Sequence, residues 1–518
     1  MELPLSLSLS LFSTAGCGKS FVIEINTKMC EYLSGPVPEG VGSAVVNCAP
    51  YGSCADKLPN GATIRSRLVL KGTPKDALKS CQLQRLERTF GPASLLTHID
   101  EKSLLGLATL GQVSRDLQRF FVHMKRKQKT DLEKKWDRSY QLDTNPNEFS
   151  FGDMPIVIIL GDHRQCPPVA AREIFKIKNP KSKGIAGDWE YSGQLAFESF
   201  TSTHNLTVNQ RMANPLETEQ EKEARLTFEN FLKRCSLRLD PFEEPGMEYL
   251  NQFHRPVPDG VGNVLHAFEK KQPAMEYNLE MLKKLAGTKV LYTSNLKHER
   301  NSCRRKGTCN HAIQNKFRVV KGALVRLTKN MSTTRTHGLY NGALGTVVAC
   351  LPHTIIIQFR GYKGKPFSTA EGWEDTWVPI RPVWAHCGDK GCEYKGLEAS
   401  CRRFGYPLCL AYGVNWHKIQ GLSVGPGEVY EHIRLHFEGN LQKTMEKNCP
   451  GLTYAALSRA KSVDCLSLDK KVDLPRLNYG FNNESAKERQ KETERVIEEA
   501  RKTKERLENL WNQDQDFQ

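Results

Sequence analysis

Leu9-Ser-Leu-Phe-Ser-Thr-Ala-Gly-Cys-Gly-Lys-Ser20 is the stretch around which the chain is organised. A short apolar run gives way to small residues, Gly18-Lys19-Ser20 follows, and apolar positions resume at Phe21, Val22, Ile23 and Ile25. This is the layout of a phosphate-binding loop between a buried strand and the start of a helix. Glycines let the backbone curl until several N–H groups face one phosphate, and the helix dipole adds a favourable field. Lys19 would then reach the β- and γ-phosphates of a nucleotide, and the Ser20 hydroxyl would ligate Mg2+. The same residues also suit an ordinary strand–helix turn that happens to carry Gly-Lys-Ser. The rest of the chain decides between the two.

Composition sets the outer bounds. A chain of 518 residues is long enough for two or three domains and a large core. Its net charge of +16 favours a polyanionic partner such as nucleic acid, although charged faces are commonly just solvated. Sixteen cysteines are scattered singly, the usage of a reduced intracellular protein rather than of a disulfide scaffold. No stretch approaches the ~20 apolar residues that span a bilayer, so no membrane partner is expected. The N-terminal Leu/Ser run follows Glu2 with no basic residue before it and leads straight into the loop. It therefore reads as the first core strand and not as a cleaved leader.

Beyond the loop, helical spacing over 21–33 stops at Ser34-Gly35-Pro36. Ser43–Cys48 reads as a short buried strand running into Ala49-Pro50-Tyr51-Gly52. Ser94–Ile99 is a further buried run that delivers Asp100-Glu101 at its carboxyl end, where parallel α/β sheets bind ligands. Asp100 would hold Mg2+ directly or through water, and Glu101 would orient and deprotonate an attacking water. A polar, basic stretch over 114–150 reads as a helix and a solvated connection. Pro155–Leu160 is the strongest strand signal, and the loop after it places Gln165 beside the other strand ends. A glutamine there can sense the γ-phosphate or position water; it also suits an ordinary loop amide.

In the second half, 216–237 reads as an amphipathic helix and Lys289–Asn295 as a strand of a second nucleotide-binding-type sheet. Thr346–Cys350 and Thr354–Phe359 form a hairpin candidate across Leu351-Pro352-His353. The apolar run 407–414 delivers His417, Lys418 and Gln420. His417 and Lys418 suit contacts to a strand backbone, whereas Trp416 reads as core.

Taken in order, these pieces resemble the PIF-type (petite integration frequency) ATP-dependent DNA helicases of superfamily one, related to RecD. Ser13–Ser20 is similar to motif I, and Ala49-Pro-Tyr-Gly52 with Gly61-Ala-Thr-Ile64 to motif Ia. Ile99-Asp-Glu-Lys-Ser103 resembles motif II, Gly161–Val169 motif III and Asn205–Arg211 motif IV. Leu410–Gly421 resembles motif V and Tyr454-Ala-Ala-Leu-Ser-Arg459 motif VI. Ser13 stands where the family has glycine, Cys17 where it has threonine, Arg65 where it has histidine, and Asn415-Trp416 where it has Thr-Ile. The chain begins at the first strand, so the family's upstream adenine-reading glutamine segment is expected to be missing.

The resemblance implies an α/β fold of two RecA-like P-loop NTPase domains with parallel sheets. The first would cover 1–203; the second, 204–335 and 405–475, would carry a small SH3-like β insert over 336–404. A charged helical tail, 476–518, reads as solvated. The implied activity is ATP hydrolysis coupled to 5′-to-3′ movement on single-stranded DNA and DNA junctions, in repair or recombination, within the nucleus if the source is eukaryotic. Lys19, Glu101, Gln165, Arg211 and Arg459 would be catalytic, the arginines reaching the nucleotide from the second domain. Thr14, Ala15, Gly16, Cys17, Gly18, Lys19, Ser20, Phe21 and Gln420 would bind ATP, and Ser20 and Asp100 would hold Mg2+. Pro50, Thr63, His417 and Lys418 would contact DNA. The alternative is a degenerate remnant, such as one derived from a mobile element, that binds nucleic acid with little or no turnover. Cys303, Cys309 and His311, and Cys387, Cys392, Cys401 and Cys409, lack the paired spacing of a zinc module and read as free thiols.

Overall fold

The structure is a computed structural model. It describes all residues except 1–6, 36–41, 56, 69–78, 92–93, 129–149, 153, 170, 177–184, 288–291, 296, 299–312, 315, 332–336, 387–401 and 516–518. Cys303, Cys309, His311, Cys387, Cys392 and Cys401 lie outside the described residues. The chain divides into two units: residues 1–256 with 420–428 and 437–518, and residues 257–419 with 429–436. These bounds differ from those read from sequence, because residues 204–256 and the end of the chain pack with the first unit.

The first unit is built on six parallel strands, β1 (Leu7–Ser13), β2 (Val45–Ala49), β3 (Ala62–Thr63), β4 (Leu96–Ile99), β5 (Ile156–Gly161) and β6 (Ser202–Leu206). Their order in the sheet is β3-β2-β4-β5-β1-β6. Parallel strands buried on both faces need apolar runs, and 45–49 and 157–161 are fully buried. Successive side chains feed opposite cores: Val46, Val157 and Ile159 pack on one face, Val45, Ile158 and Leu160 on the other. The Leu/Ser alternation of β1 follows the same rule. Leu11 enters one core, while Ser10 accepts a hydrogen bond from the buried Lys102 ammonium at 3.2 Å.

Register sets where the loops emerge. Ser10 and Ile99 both stand level with Ile159, so β4 ends there while β5 runs on to Gly161 and β1 to Ser13. Their next residues, the phosphate-type loop, Asp100-Glu101 and Asp162–Gln165, leave the sheet at one carboxyl edge.

The charged C-terminal helix, Glu484–Gln515, corrects the expectation of a solvated tail. Val496, Arg489, Glu492, Thr493 and Thr503 on it are buried. Thr503 Oγ1 accepts from the Thr203 N–H at 3.0 Å, which satisfies a donor on the edge strand β6.

In the second unit, Gly413–Asn415, Val264–Phe268 and His432–His436 form a parallel sheet in that order. The strand read at 289–295 does not join it: Tyr292–Asn295 pairs antiparallel with Lys316–Val319. Trp416 is core, its indole donating to the Ala267 carbonyl at 2.8 Å. A five-stranded antiparallel sheet runs 377–380, 354–358, 344–351, 324–327, 408–410. The hairpin read at 346–359 lies inside it, with Leu351 opposite Thr354. This sheet draws strands from both sides of the 336–404 segment read as the insert.

Ile159 is fully buried on β5, whereas Tyr32 is 87% exposed on the first helix, Lys19–Ser34. Ile159→Ala should therefore cost about 2–5 kcal/mol in a urea titration, and Tyr32→Ala no more than about 0.5 kcal/mol.

Candidate functional site

The turn after β1 has the backbone its glycines allow. Gly16 and Gly18 sit at φ 91° and 81°, in the left-handed region, and the helix begins at Lys19. A Cβ at Gly16 would meet Asn209 Oδ1 at 2.3 Å, so no larger residue fits there. The Lys19 ammonium donates to Ser13 Oγ at 2.9 Å and to the Thr14 carbonyl at 3.4 Å. Ser13, the departure from the family's glycine, thus gives the lysine a resting partner. Thr14 Oγ1 lies 2.8 Å from Cys17 Sγ.

Asp100 and Glu101 are buried at the end of β4 and share a cleft of about 260 Å³ with Lys19, Ser20 and Gln165. Burial, then the neighbouring Glu101, push the Asp100 carboxyl up to about 7, while Lys19 and the Glu101 N–H pull it down. Asp100 Oδ1, Glu101 Oε2 and Gln165 Oε1 are buried without hydrogen-bond partners. Orphaned hard oxygens beside a phosphate-type loop are the donor set that Mg2+ takes, so the residues fit that ion. Among the described residues there is no cluster of three His, Cys, Asp or Glu side chains that would hold a metal alone. Any such site is therefore completed by the Ser20 hydroxyl, phosphate or water.

Opposite the acids stand cations. Arg211, Arg459, Lys57 and Lys461 line the same cleft. Neither arginine is a surface ion-pair residue. Arg459 is buried and fixed by the Ala455 carbonyl at 2.7 Å, Ser458 Oγ at 2.8 Å and the Leu422 carbonyl at 3.3 Å. Arg211 donates through Nη1 to the Ser458 carbonyl at 2.7 Å, and its N–H reaches the Gly16 carbonyl at 3.0 Å. Burial, then the charge of Arg459, push Arg211 down to about 10. Burial and the same two arginines lower Lys57, which donates to the Gly421 carbonyl. With Lys461 paired to Glu428 at 2.7 Å, the cleft still carries more positive than negative charge. Such a cleft attracts a polyphosphate.

Asp162 joins these parts. It is fully buried and accepts from the Arg164 N–H at 3.1 Å, Arg164 Nε at 3.3 Å and Gln165 Nε2 at 3.4 Å. The Tyr454 hydroxyl donates to it at 2.9 Å and accepts the Ala15 N–H at 3.2 Å. Burial alone would raise Asp162, but Arg164, Lys19 and His163 outweigh it and hold the carboxyl at about 2.

The structure thus brings together, in its first unit, Ala15, Gly16, Cys17, Gly18, Lys19, Ser20, Phe21, Asp100, Glu101, Gln165, Arg211 and Arg459. Thr14 and Gln420 are not among the residues lining the cleft; Gly421, next to Gln420, is. Pro50 and Thr63 lie at the ends of β2 and β3 in the first unit. His417 and Lys418 lie in the second, in a 3₁₀ turn over Trp416–Lys418 with Lys418 exposed. Sequence reasoning assigned no role to Lys57, Lys461, Asp162 or Tyr454. Tyr454 opens the motif VI segment, which was the available signal; Lys57 carried none.

The sequence matches no protein-family model, and no curated protein matches it. Among solved structures, the chain is similar to a complex of two coordinating Pif1 helicases at forked double-stranded DNA, with 18% identity and TM-score 0.60. That alignment covers 91% of this chain and 90% of the other. A Bacteroides Pif1 with ADP-AlF3 and single-stranded DNA aligns at 17% identity and TM-score 0.60, covering 91% of each chain. Candida albicans Pif1 helicase aligns at 17% identity and TM-score 0.57, over 94% of this chain and 96% of that one. The fold is that of the Pif1 helicases, with two RecA-like parallel sheets, and it matches the resemblance carried by the sequence motifs.

Tyr454→Phe leaves the Ala15 N–H without its acceptor and Asp162 without one donor. A loss of about 1–3 kcal/mol is expected. The Asp162 contribution is present above the unfolded carboxylate range near pH 4 and is lost as pH falls toward about 2. Acid unfolding of Asp162→Asn should accordingly show a flatter pH dependence than that of the wild type, read by circular dichroism.

Proposed function

We propose that the protein is an ATP-dependent DNA helicase that translocates on single-stranded DNA, 5′ to 3′. The observation that carries this reading is the cleft in which Lys19, Ser20, two acids with unpartnered oxygens, Gln165, the half-buried Arg211 and the buried Arg459 converge. Solved Pif1 structures with the same fold hold ADP-AlF3 and single-stranded DNA, or act on forked DNA, which supports ATP and DNA as the ligands here.

In this reading Lys19 leaves Ser13 to bind the β- and γ-phosphates, and Gly16, Cys17 and Gly18 present backbone N–H groups to them. Ala15 and Phe21 line the nucleotide, with Thr14 and Gln420 supporting it from outside the cleft wall. Ser20 and Asp100 would hold Mg2+, which when bound would supply charge neutralisation at the phosphate oxygens. Glu101 takes the proton of the attacking water while Gln165 holds that water in line. Arg211 and Arg459 stabilise the charge that develops on the transferred phosphoryl group. Pro50, Thr63, His417 and Lys418 grip the strand backbone, and DNA junctions are the structures opened. We further infer that the second unit carries the second RecA-like domain with an SH3-like insert, and that alternating grips of the two domains produce movement.

Lys19→Ala should abolish hydrolysis. Glu101→Gln should bind ATP but turn it over poorly, since binding needs the lysine whereas turnover needs an activated water. Arg459→Ala should lower DNA-stimulated turnover by on the order of 10³-fold with far less effect on ATP binding. Steady-state ATPase with saturating single-stranded DNA checks all three. Wild-type rates in Glu101→Gln and Arg459→Ala would sink the assignment, and a wild-type chain that binds DNA without turnover would establish the remnant reading instead.

Affinity for single-stranded DNA is expected to fall steeply with salt, as counterion release requires. Fluorescence anisotropy of a labelled oligonucleotide across a salt series reads the slope, and a flat line would contradict a backbone-tracking groove.

A further inference from the structure

The loop that carries Gln165 is not held by its own strand alone. Arg489, one turn into the C-terminal helix and almost fully buried, reaches two carbonyls with one nitrogen. Its Nη1 donates to the Arg164 carbonyl at 3.2 Å and to the Pro450 carbonyl at 3.0 Å, and its Nη2 to Glu173 Oε1 at 2.8 Å. Arg164 precedes Gln165. Pro450 leads into the helix Leu452–Leu457, which presents Tyr454 to Asp162 and is followed by Arg459.

The two backbones joined this way touch directly. A Cβ on Gly451 would lie 2.4 Å from the Arg164 carbonyl oxygen and 3.2 Å from that of Gln165, so only glycine permits the approach. One turn further along the C-terminal helix, Thr493 donates its single hydroxyl proton to the Arg489 carbonyl at 2.8 Å. Its oxygen is therefore the acceptor from His163 Nε2 at 2.8 Å, which makes Nε2 the protonated nitrogen of that ring. His163 in turn stacks on Phe12 of β1, with ring centroids 4.8 Å apart. Between Arg489 and Thr493, Glu492, also buried, faces the Lys102 ammonium, which burial pushes down to about 8 against the pull of Glu492. The helix meets the residues after β4 and β5 with donors, acceptors and counter-charge. A helix that merely covered the sheet would need only its apolar stripe.

We propose that Arg489 is a positioning residue for ATP hydrolysis, clamping the Gln165 loop to the segment that carries Tyr454 and Arg459. The proposal rests on the helicase reading above, since it assigns Gln165 and Arg459 to the reaction. Without the guanidinium, the Arg164 and Pro450 carbonyls lose a shared donor and the Gln165 and Arg459 side chains lose their common reference. A misplacement of roughly 1 Å at reacting groups costs on the order of 10²-fold in rate. Ground-state contacts to the phosphates, made by Lys19 and backbone N–H groups, stay in place.

The test compares the full chain with Arg489→Ala and Arg489→Lys, and with Arg501→Ala as a control on an exposed turn of the same helix. DNA-stimulated ATPase, affinity for ADP and for ADP with aluminium fluoride, and amide hydrogen exchange are measured. Arg489→Ala should lose about tenfold or more in kcat with KM for ATP changed by less than about twofold. ADP affinity should hold while affinity for the aluminium fluoride complex falls in step with kcat. Arg489→Lys should recover part of the loss, and Arg501→Ala should match the wild type. Wild-type kcat in Arg489→Ala, or losses of kcat and ADP binding in equal proportion, would overturn the proposal. If Arg489→Ala fails to fold, the lysine variant is read by the same criteria. A wild-type chain without turnover defeats the helicase reading, and exchange then decides the clamp. Faster exchange over 162–166 and 449–454 in the Arg489 variants supports it, and unchanged exchange there overturns it.

Discussion

A single buried carboxylate, Asp162, is the interaction on which the first unit's site depends. An ionised group with no exposure survives only when donors replace the water it lost. Here the donors are Arg164, Gln165 and Tyr454, drawn from the loop after β5 and from a helix nearly 300 positions further along the chain. Tyr454 also receives the Ala15 N–H, so satisfying the charge fixes the phosphate-type loop in the same act. Because the charge cannot be left unpaired, these contacts form together or not at all.

Parallel strand register supplies the frame for that interaction. Three neighbouring strands each release one chemical part at the same carboxyl edge: a glycine turn with a lysine, a pair of acids, and a polar loop. The carboxyl edge suits anions because helices start there and their N–H groups point outward. Against it stands an excess of cations, two of them arginines held rigid by main-chain carbonyls. Rigid donors cost little reorganisation when charge develops nearby, which is what separates a catalytic arginine from a solvated one.

Much of this was legible in sequence because it depends on neighbours along the chain. The turn at 13–20 needs glycine at its left-handed positions, buried strands need apolar runs, and the acids need only follow one of them. The tail showed the opposite case. A helix dense in Lys, Arg and Glu reads as solvated, since such residues are buried only when paired. Arg489 and Thr493 are paired, but with partners more than 300 residues away, which no periodicity on the helix reveals. The strand at 292–295 was misplaced for a related reason: an extended segment declares its conformation but not its partner, and its partner is antiparallel.

The sequence by itself determined the order of the chemical parts and the parallel α/β class. Those depend on local backbone rules and on the burial that each strand's composition demands. Tertiary structure alone decided that Lys57, Tyr454 and the C-terminal helix belong to the site. It also decided that Arg459 is buried and Arg211 half-buried in the first unit's cleft, neither paired on a surface. The physical reason is that desolvation and hydrogen-bond satisfaction are properties of a place in space, and residues hundreds of positions apart share that place only after the sheet has formed.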